Sequence, residues 1–321
     1  MKDSISVVIP IFNRSKWIGP TLDRILGQTS EVDEIVLCDD GSEDDLASAL
    51  LPYSGLVKVV RITNSGPGIA RKTAIEHSKG AWIALCDSDD FWYPDHIERF
   101  RYARSVFPSL NFYFANFDTS NTPGKTKFDA APAGWFDSLA SPSSLGSGNL
   151  IHAGSSLYTA LLRFQCCFQS ACVFSRELYD SVGGIAPEIS RWQSEDAHLT
   201  RRLAAYGDSV IDRIPGVLIN KHEDNFSENI LGNFEGRIKI LKKLLSDEAL
   251  PAILRQQTCQ EVENSLVTLF RQYYWHSEYD KAKLLFKDLK RESISNKDYT
   301  RFLISYSSSQ LKELRALFLK N

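Results

Sequence analysis

The chain has 321 residues, a formal net charge of −3, 43% hydrophobic residues and 24% charged residues. That length allows one large domain or two smaller ones, and the composition is that of an ordinary soluble globular protein. The acidic balance argues against a general nucleic-acid binder, and no run of about twenty apolar residues is available to span a membrane.

Charge is unevenly spread: residues 1–227 carry 28 acidic against 21 basic side chains, and residues 228–321 carry 16 basic against 12 acidic. We read a catalytic domain at 1–227 and a mildly basic helical region at 228–321. Met1-Lys2-Asp3-Ser4 leads straight into a strand pattern with no visible signal peptide. The six cysteines show no zinc-type CxxC spacing, so reduced thiols and a cytoplasmic location are expected.

In chain order, Ile5 to Ile11 is a β-branched run typical of a central parallel strand. A helix from about Ser15 to Gln28 follows, its apolar positions Trp17, Ile18, Leu22, Ile25 and Leu26 recurring at helical period. Strands are expected at Glu34–Cys38, Val57–Ile62 and 81–86, with a helix after Asn64-Ser65-Gly66-Pro67-Gly68 that Gly80 stops. Residues 118–156 are rich in Ser, Gly, Pro and Ala without period, as in a lid. Phe164 to Phe174 reads as a buried strand, Arg176–Val182 as a short helix, and the chain beyond about Glu228 as almost wholly helical. This alternation predicts an α/β fold with a mostly parallel, Rossmann-like sheet flanked by helices. Ligands bind such sheets at the carboxyl ends of their strands, where Asn13-Arg14, Asp39-Asp40 and Asp87–Asp90 all fall.

The last cluster is the most telling. An apolar run ends in Asp87-Ser88-Asp89-Asp90, three carboxylates within four residues. Asp87 and Asp89 project to one side of an extended chain, and carboxylates that close tolerate one another best around a cation. Hard oxygen ligands favour Mg²⁺ or Mn²⁺, which usually hold substrate phosphates. An acidic turn with Asp90 as helix N-cap is the plainer alternative.

Val7-Val8-Ile9-Pro10-Ile11-Phe12-Asn13-Arg14, Asp39-Asp40-Gly41-Ser42, Asn64-Ser65-Gly66-Pro67-Gly68-Ile69-Ala70-Arg71 and Asp87-Ser88-Asp89-Asp90, in this order and spacing, resemble the family-2 glycosyltransferases over roughly residues 4–226. The resemblance implies a GT-A fold, a nucleotide-sugar donor, a divalent cation and inversion at the anomeric carbon. It implies that Pro10, Phe12 and Arg14 line the loop that seats the nucleobase, where an aromatic face can stack. It gives Asp39 and Asp40 to the base and ribose. Gly66 lets the backbone approach the donor, and Arg71 suits phosphate or base-edge contacts. Asp87 with Ser88 belongs to the ribose or metal shell. Asp89 is the preferred metal ligand and Asp90 the alternative, with His222 completing the shell. The pair Glu195-Asp196 resembles the family's Glu-Asp motif, and Asp196 is the preferred general base, with Ser194 as the cap of its helix. Trp192 is assigned either to the acceptor sugar or to core.

The expected function is transfer of a sugar, favoured as a UDP-sugar, to a glycan or lipid-linked acceptor, in bacterial surface polysaccharide or glycoconjugate synthesis. A sugar nucleotidyltransferase, an aspartyl phosphatase and a non-catalytic nucleotide-sugar scaffold are the competing classes. The basic tail is open to three uses: contact with the inner membrane face, a homodimer interface, or cover for the sheet.

Overall fold

The computed structural model describes residues 3–139, 148–222 and 229–305. The chain divides into two compact units, 1–225 and 226–321.

Unit one begins with β1 (Ile5–Ile11), α1 (Ser15–Leu26), β2 (Glu34–Asp39), α2 (Leu46–Leu50), β3 (Lys58–Arg61), α3 (Pro67–Glu76) and β4 (Trp82–Leu85). It continues with β5 (Phe91–Trp92), α4 (His96–Val106), β6 (Phe112–Thr119), β7 (Leu150–His152) and α5 (Ser156–Arg163). It closes with β8 (Cys172–Ser175), α6 (Arg176–Ser181), α7 (Asp196–Tyr206) and β9 (Ser209–Ile219). One sheet runs in the order β3-β2-β1-β4-β8-β6-β9-β5, with β7 also on β9. The β3-β2-β1-β4 half is parallel, as the strand–helix alternation predicted. Beyond β4 the sheet is mixed, because β8 runs antiparallel to both β4 and β6.

All seven residues of β1 are buried, since helices cover both faces of a central strand. Ile5, Val7, Ile9 and Ile11 share one core with Ile18, Leu22 and Ile25 of α1. The expected strand at Phe164–Phe174 is shorter: Gln169–Ala171 is a 3₁₀ turn and pairing starts only at Cys172. The turn carries Ser170, whose hydrogen bonds to the acidic loop are described below. The expected lid is anchored where it is described. Phe128 and Trp135 are buried, Trp135 Nε1 donates to Ala160 O at 3.0 Å, and Phe164 meets Trp135 edge-on. Residues 140–147 lie outside the described residues. All six cysteines are free thiols; five are buried and Cys259 is exposed.

Unit two contains α8 (Ile230–Leu245), α9 (Ala252–Trp275) and α10 (Tyr279–Phe286) around Ile238, Leu269, Phe270, Tyr273 and Ala282. Asp298 is its electrostatic anchor: Arg271 grips both carboxylate oxygens at 2.9 and 2.8 Å, and Arg301 adds a contact at 2.7 Å. On the basic helix Arg237 is paired with Glu261 at 2.7 Å, whereas Lys239 and Lys242 are exposed. No helix of the described residues is long and apolar enough to cross a membrane.

Candidate active site

The site starts where the sheet splits. Successive main-chain groups of a parallel strand face alternate neighbours. Ser4 O and Val8 O accept from Trp82 and Cys86 on the β4 side, and Ile11 O accepts from Asp40 on the β2 side. Pro10 therefore faces the β4 side with no N–H to offer, and β4 pairing ends at Val8↔Leu85. Pro10 lies buried inside β1, not in the loop beyond it. Past that point Cys86–Asp90 leaves the ladder and a crevice opens.

Residues 87–90 form a turn closed by the Asp90 N–H on Asp87 O at 3.2 Å, where the sequence reading expected an extended segment. Asp87 and Asp89 are partly exposed, whereas Ser88 and Asp90 are buried. The Ser88 carbonyl accepts from Thr21 Oγ1 at 3.1 Å. Asp90 is 2% exposed and both its oxygens are engaged, by Ser170 Oγ at 2.5 Å and Asn220 N–H at 3.1 Å. Burial and the neighbouring Asp87 and Asp89 charges push its carboxyl well above the usual carboxylate range. Asp90 is thus neither the cap of α4, which Asp95 precedes, nor open to an ion; it is a clamp between the acidic loop and the end of β9. Ser170 Oγ also accepts the Asp87 N–H at 2.9 Å.

Asp89 faces the crevice. Its Oδ2 meets His222 Nε2 at 2.8 Å and Arg14 Nε at 3.3 Å. Trp17 stacks on the His222 ring, centroids 5.0 Å apart and planes at 18°. Sequence reasoning placed Trp17 in the helix stripe and missed this contact; only its half-burial separates it from the core positions of α1.

Arg71 joins the two halves of the site. It comes from α3, is 4% exposed, and bonds Asp87 Oδ1 and Glu195 Oε1, each at 3.0 Å. Burial pushes the Glu195 and Asp196 carboxyls up, and Arg71 partly offsets this for both. Glu195, not Ser194, caps α7: its Oε2 accepts the Asp196 N–H at 2.5 Å. Ser194 takes a left-handed φ of 62°, which swings Glu195-Asp196 onto the helix end. A small pocket of about 10 Å³ beside the pair is lined by Gly68, Arg71, Gln169, Glu195, Asp196 and His198. Trp192 is half-buried, its N–H bonded to Ile189 O at 2.8 Å.

The remaining expected donor residues lie along the same strand ends. Phe12 is 41% exposed. Asp39 and Asp40 are each 3% exposed and bonded within the protein. Asp39 takes the Ser42 N–H at 2.7 Å and Arg61 at 2.6 Å; Asp40 takes the Ser65 and Gly66 N–H groups at 2.6 and 2.8 Å. Gly66 has φ of 95°, and a Cβ there would lie 2.7 Å from Arg191 Cγ. The close approach it permits in this structure is that of the 190–191 segment.

Residues 6–103 match the model of glycosyl transferase family 2. Over those residues the chain is similar to the family-2 glycosyltransferases. An uncharacterized glycosyltransferase of Rickettsia felis is 28% identical over 203 residues, covering 58% of this chain and 32% of the relative. The chain therefore spans about a third of that relative's length. The UDP-Glc:α-D-GlcNAc-diphosphoundecaprenol β-1,3-glucosyltransferase WfgD of Escherichia coli is 28% identical over 120 residues, 36% of this chain and 47% of that one. Among solved structures, S. aureus TarS 1–349 in complex with UDP has a TM-score of 0.61 at 15% identity, covering 96% of this chain and 92% of that one. The mannosyltransferase PcManGT from Pyrobaculum calidifontis, in complex with GDP-Man and Mn²⁺, has a TM-score of 0.58 at 15% identity, covering 99% and 83%. These structural likenesses support the GT-A fold.

Proposed function

We propose that the chain is an inverting glycosyltransferase that moves a sugar from a nucleoside diphosphate donor, UDP being favoured, to an acceptor hydroxyl in bacterial surface polysaccharide or glycoconjugate synthesis. The observation that carries this is the Arg71 bridge from Asp87 to Glu195, which joins the strand-end carboxylates to the first turn of α7. The family match favours it over a nucleotidyltransferase, an aspartyl phosphatase or a scaffold. The UDP-bound TarS structure and the named donor of WfgD support the choice of nucleotide.

In this reading Phe12 offers a face to the base and Arg14 a cation near the diphosphate. Asp196 takes the proton of the acceptor hydroxyl as its oxygen attacks the anomeric carbon from the side opposite the diphosphate. The bond from that carbon to the diphosphate oxygen breaks with its electron pair, and configuration inverts. Glu195, with both oxygens engaged, holds the Asp196 backbone in place.

Metal binding can be tested on the donor set. No group of three or more His, Cys, Asp or Glu among the described residues is placed to hold an ion. Mg²⁺ and Mn²⁺ sites that also use substrate phosphates need only one or two protein ligands. Asp89 and His222 suit that role; Asp90, enclosed and saturated, does not. A cation held there would neutralise charge on the departing diphosphate. Asp89→Asn is expected to weaken UDP binding in Mn²⁺ by about tenfold or more, read by calorimetry. Equal affinity in the variant would remove Asp89 from this role.

A further inference from the structure

The Gln169–Ala171 turn is tied down through Ser170. Ser170 Oγ donates to Asp90 Oδ2 at 2.5 Å and accepts the Asp87 N–H at 2.9 Å, and Ser170 O accepts from Trp92 Nε1 at 2.8 Å. Gln169 precedes Ser170 in that turn and is 2% exposed. Its Oε1 is buried and has no hydrogen-bond partner among the described residues. Arg71 on α3 has one such atom too. Its Nη1 bonds Glu195 and its Nη2 bonds Asp87, whereas the buried Nε has no partner among the described residues.

The two residues line one pocket. Arg71, Gln169, Glu195 and Asp196 border a space of about 10 Å³, with Ile185, Ile189 and Leu199 as its apolar walls. That is room for a single water. A wholly apolar pocket stays dry, but this one is lined by a donor and an acceptor that are costly to leave unpaired. A water in it accepts from Arg71 Nε and donates one hydrogen to Gln169 Oε1. Its second hydrogen needs another acceptor. Glu195 has both oxygens engaged, by Arg71 and by the Asp196 N–H, so the remaining carboxylate on the wall is that of Asp196. Three hydrogen bonds are the usual complement of a buried water.

We propose that Gln169 is a positioning residue for the Asp196 base: with Arg71 it holds one buried water that donates a hydrogen bond to the Asp196 carboxylate. The role of Asp196 rests on the glycosyltransferase reading. Burial pushes the Asp196 carboxyl up. A hydrogen bond donated to the ionised form favours that form, so the water opposes the effect of burial. The other charged or titratable groups around Asp196 are Arg71 on α3, Asp87 beyond β4, Glu195, His198 and Arg201 on its own helix, and Cys167 ahead of β8. Gln169→Met leaves all of these in place, keeps the side-chain length and removes the amide.

Two measurements on the full chain test this, and neither needs turnover. The first is a crystal structure of the wild type with ordered solvent resolved. A water within hydrogen-bond reach of Arg71 Nε, Gln169 and Asp196 supports the proposal; a pocket without ordered solvent overturns it. The second is the titration of the Asp196 carboxyl, followed by carbon NMR in aspartate-labelled protein and assigned by its absence from Asp196→Asn. In Gln169→Met the midpoint is expected to rise by about one pH unit, a tenfold gain in proton affinity. A midpoint within about 0.3 unit of wild type overturns the positioning role even with the water present. Should Gln169→Met fail to fold, the wild-type crystal structure decides. Failure of the wild-type chain to bind UDP would count against the glycosyltransferase reading and would leave both measurements intact.

Discussion

Asp196→Asn is expected to lower sugar transfer by about 10²–10⁴-fold while leaving UDP affinity within about twofold of wild type. Both oxygens of Glu195 are occupied, by Arg71 and by the Asp196 N–H. Asp196 is the carboxylate of the pair with capacity left for a substrate proton. Burial raises it above its ordinary 3.8, which brings its basicity closer to neutral. The acid limb of the wild-type rate should therefore lie above that of an ordinary aspartate. Release of sugar from a UDP-sugar to water reads the rate without a known acceptor, and calorimetry reads the affinity. Near-normal turnover in the variant would remove Asp196 as base; turnover and UDP binding lost together would make it a donor-binding residue.

Arg71→Met is expected to destabilise the first unit by about 3–5 kcal/mol at neutral pH, because it strands two acidic partners. Arg71 and Glu195 are largely enclosed, so solvent screens this pair weakly. The sign of the pH dependence follows from Glu195. Its folded value already lies above the ordinary 4.5, and removing Arg71 raises it further. A carboxyl that binds its proton more tightly when folded loses stability as pH rises above the unfolded value. The deficit of the variant should thus be smallest below the wild-type folded value of about 7, grow as pH rises through it, and level off above the new folded value. Urea unfolding from pH 4 to pH 8 reads this, and a deficit that ignores pH would show that Arg71 contributes packing alone.

Much of this arrangement was legible in the residues. The β-branched run at Ile5–Ile11, the helical stripe after it and the position of the acids beyond the strand ends all follow local rules. The extended geometry expected at 87–90 is replaced by a turn, closed by the Asp90 N–H on Asp87 O. What could not be read was which carboxylates the protein uses for itself. Asp40 and Asp90 are spent on Gly66 and on Ser170, and those bonds join segments 26 and 80 residues apart. Pro10 was assigned to a loop because the split between β1 and β4 is a property of the sheet. Ser170 and Gln169 are the two polar residues between Phe168 and Phe174 in an otherwise apolar stretch, and that pair was the available hint of a role there. The Trp17–His222 stack joins residues more than two hundred positions apart, which no local pattern reports.

A crystal structure of the full chain with UDP and Mn²⁺ tests the central claim most directly. The account predicts the base beside Phe12, the diphosphate and ion against Asp89 and His222, and the Asp196 carboxylate facing the end of the diphosphate that carries the sugar. Nucleotide bound elsewhere, or Asp89 and Asp196 opening onto different clefts, would contradict it.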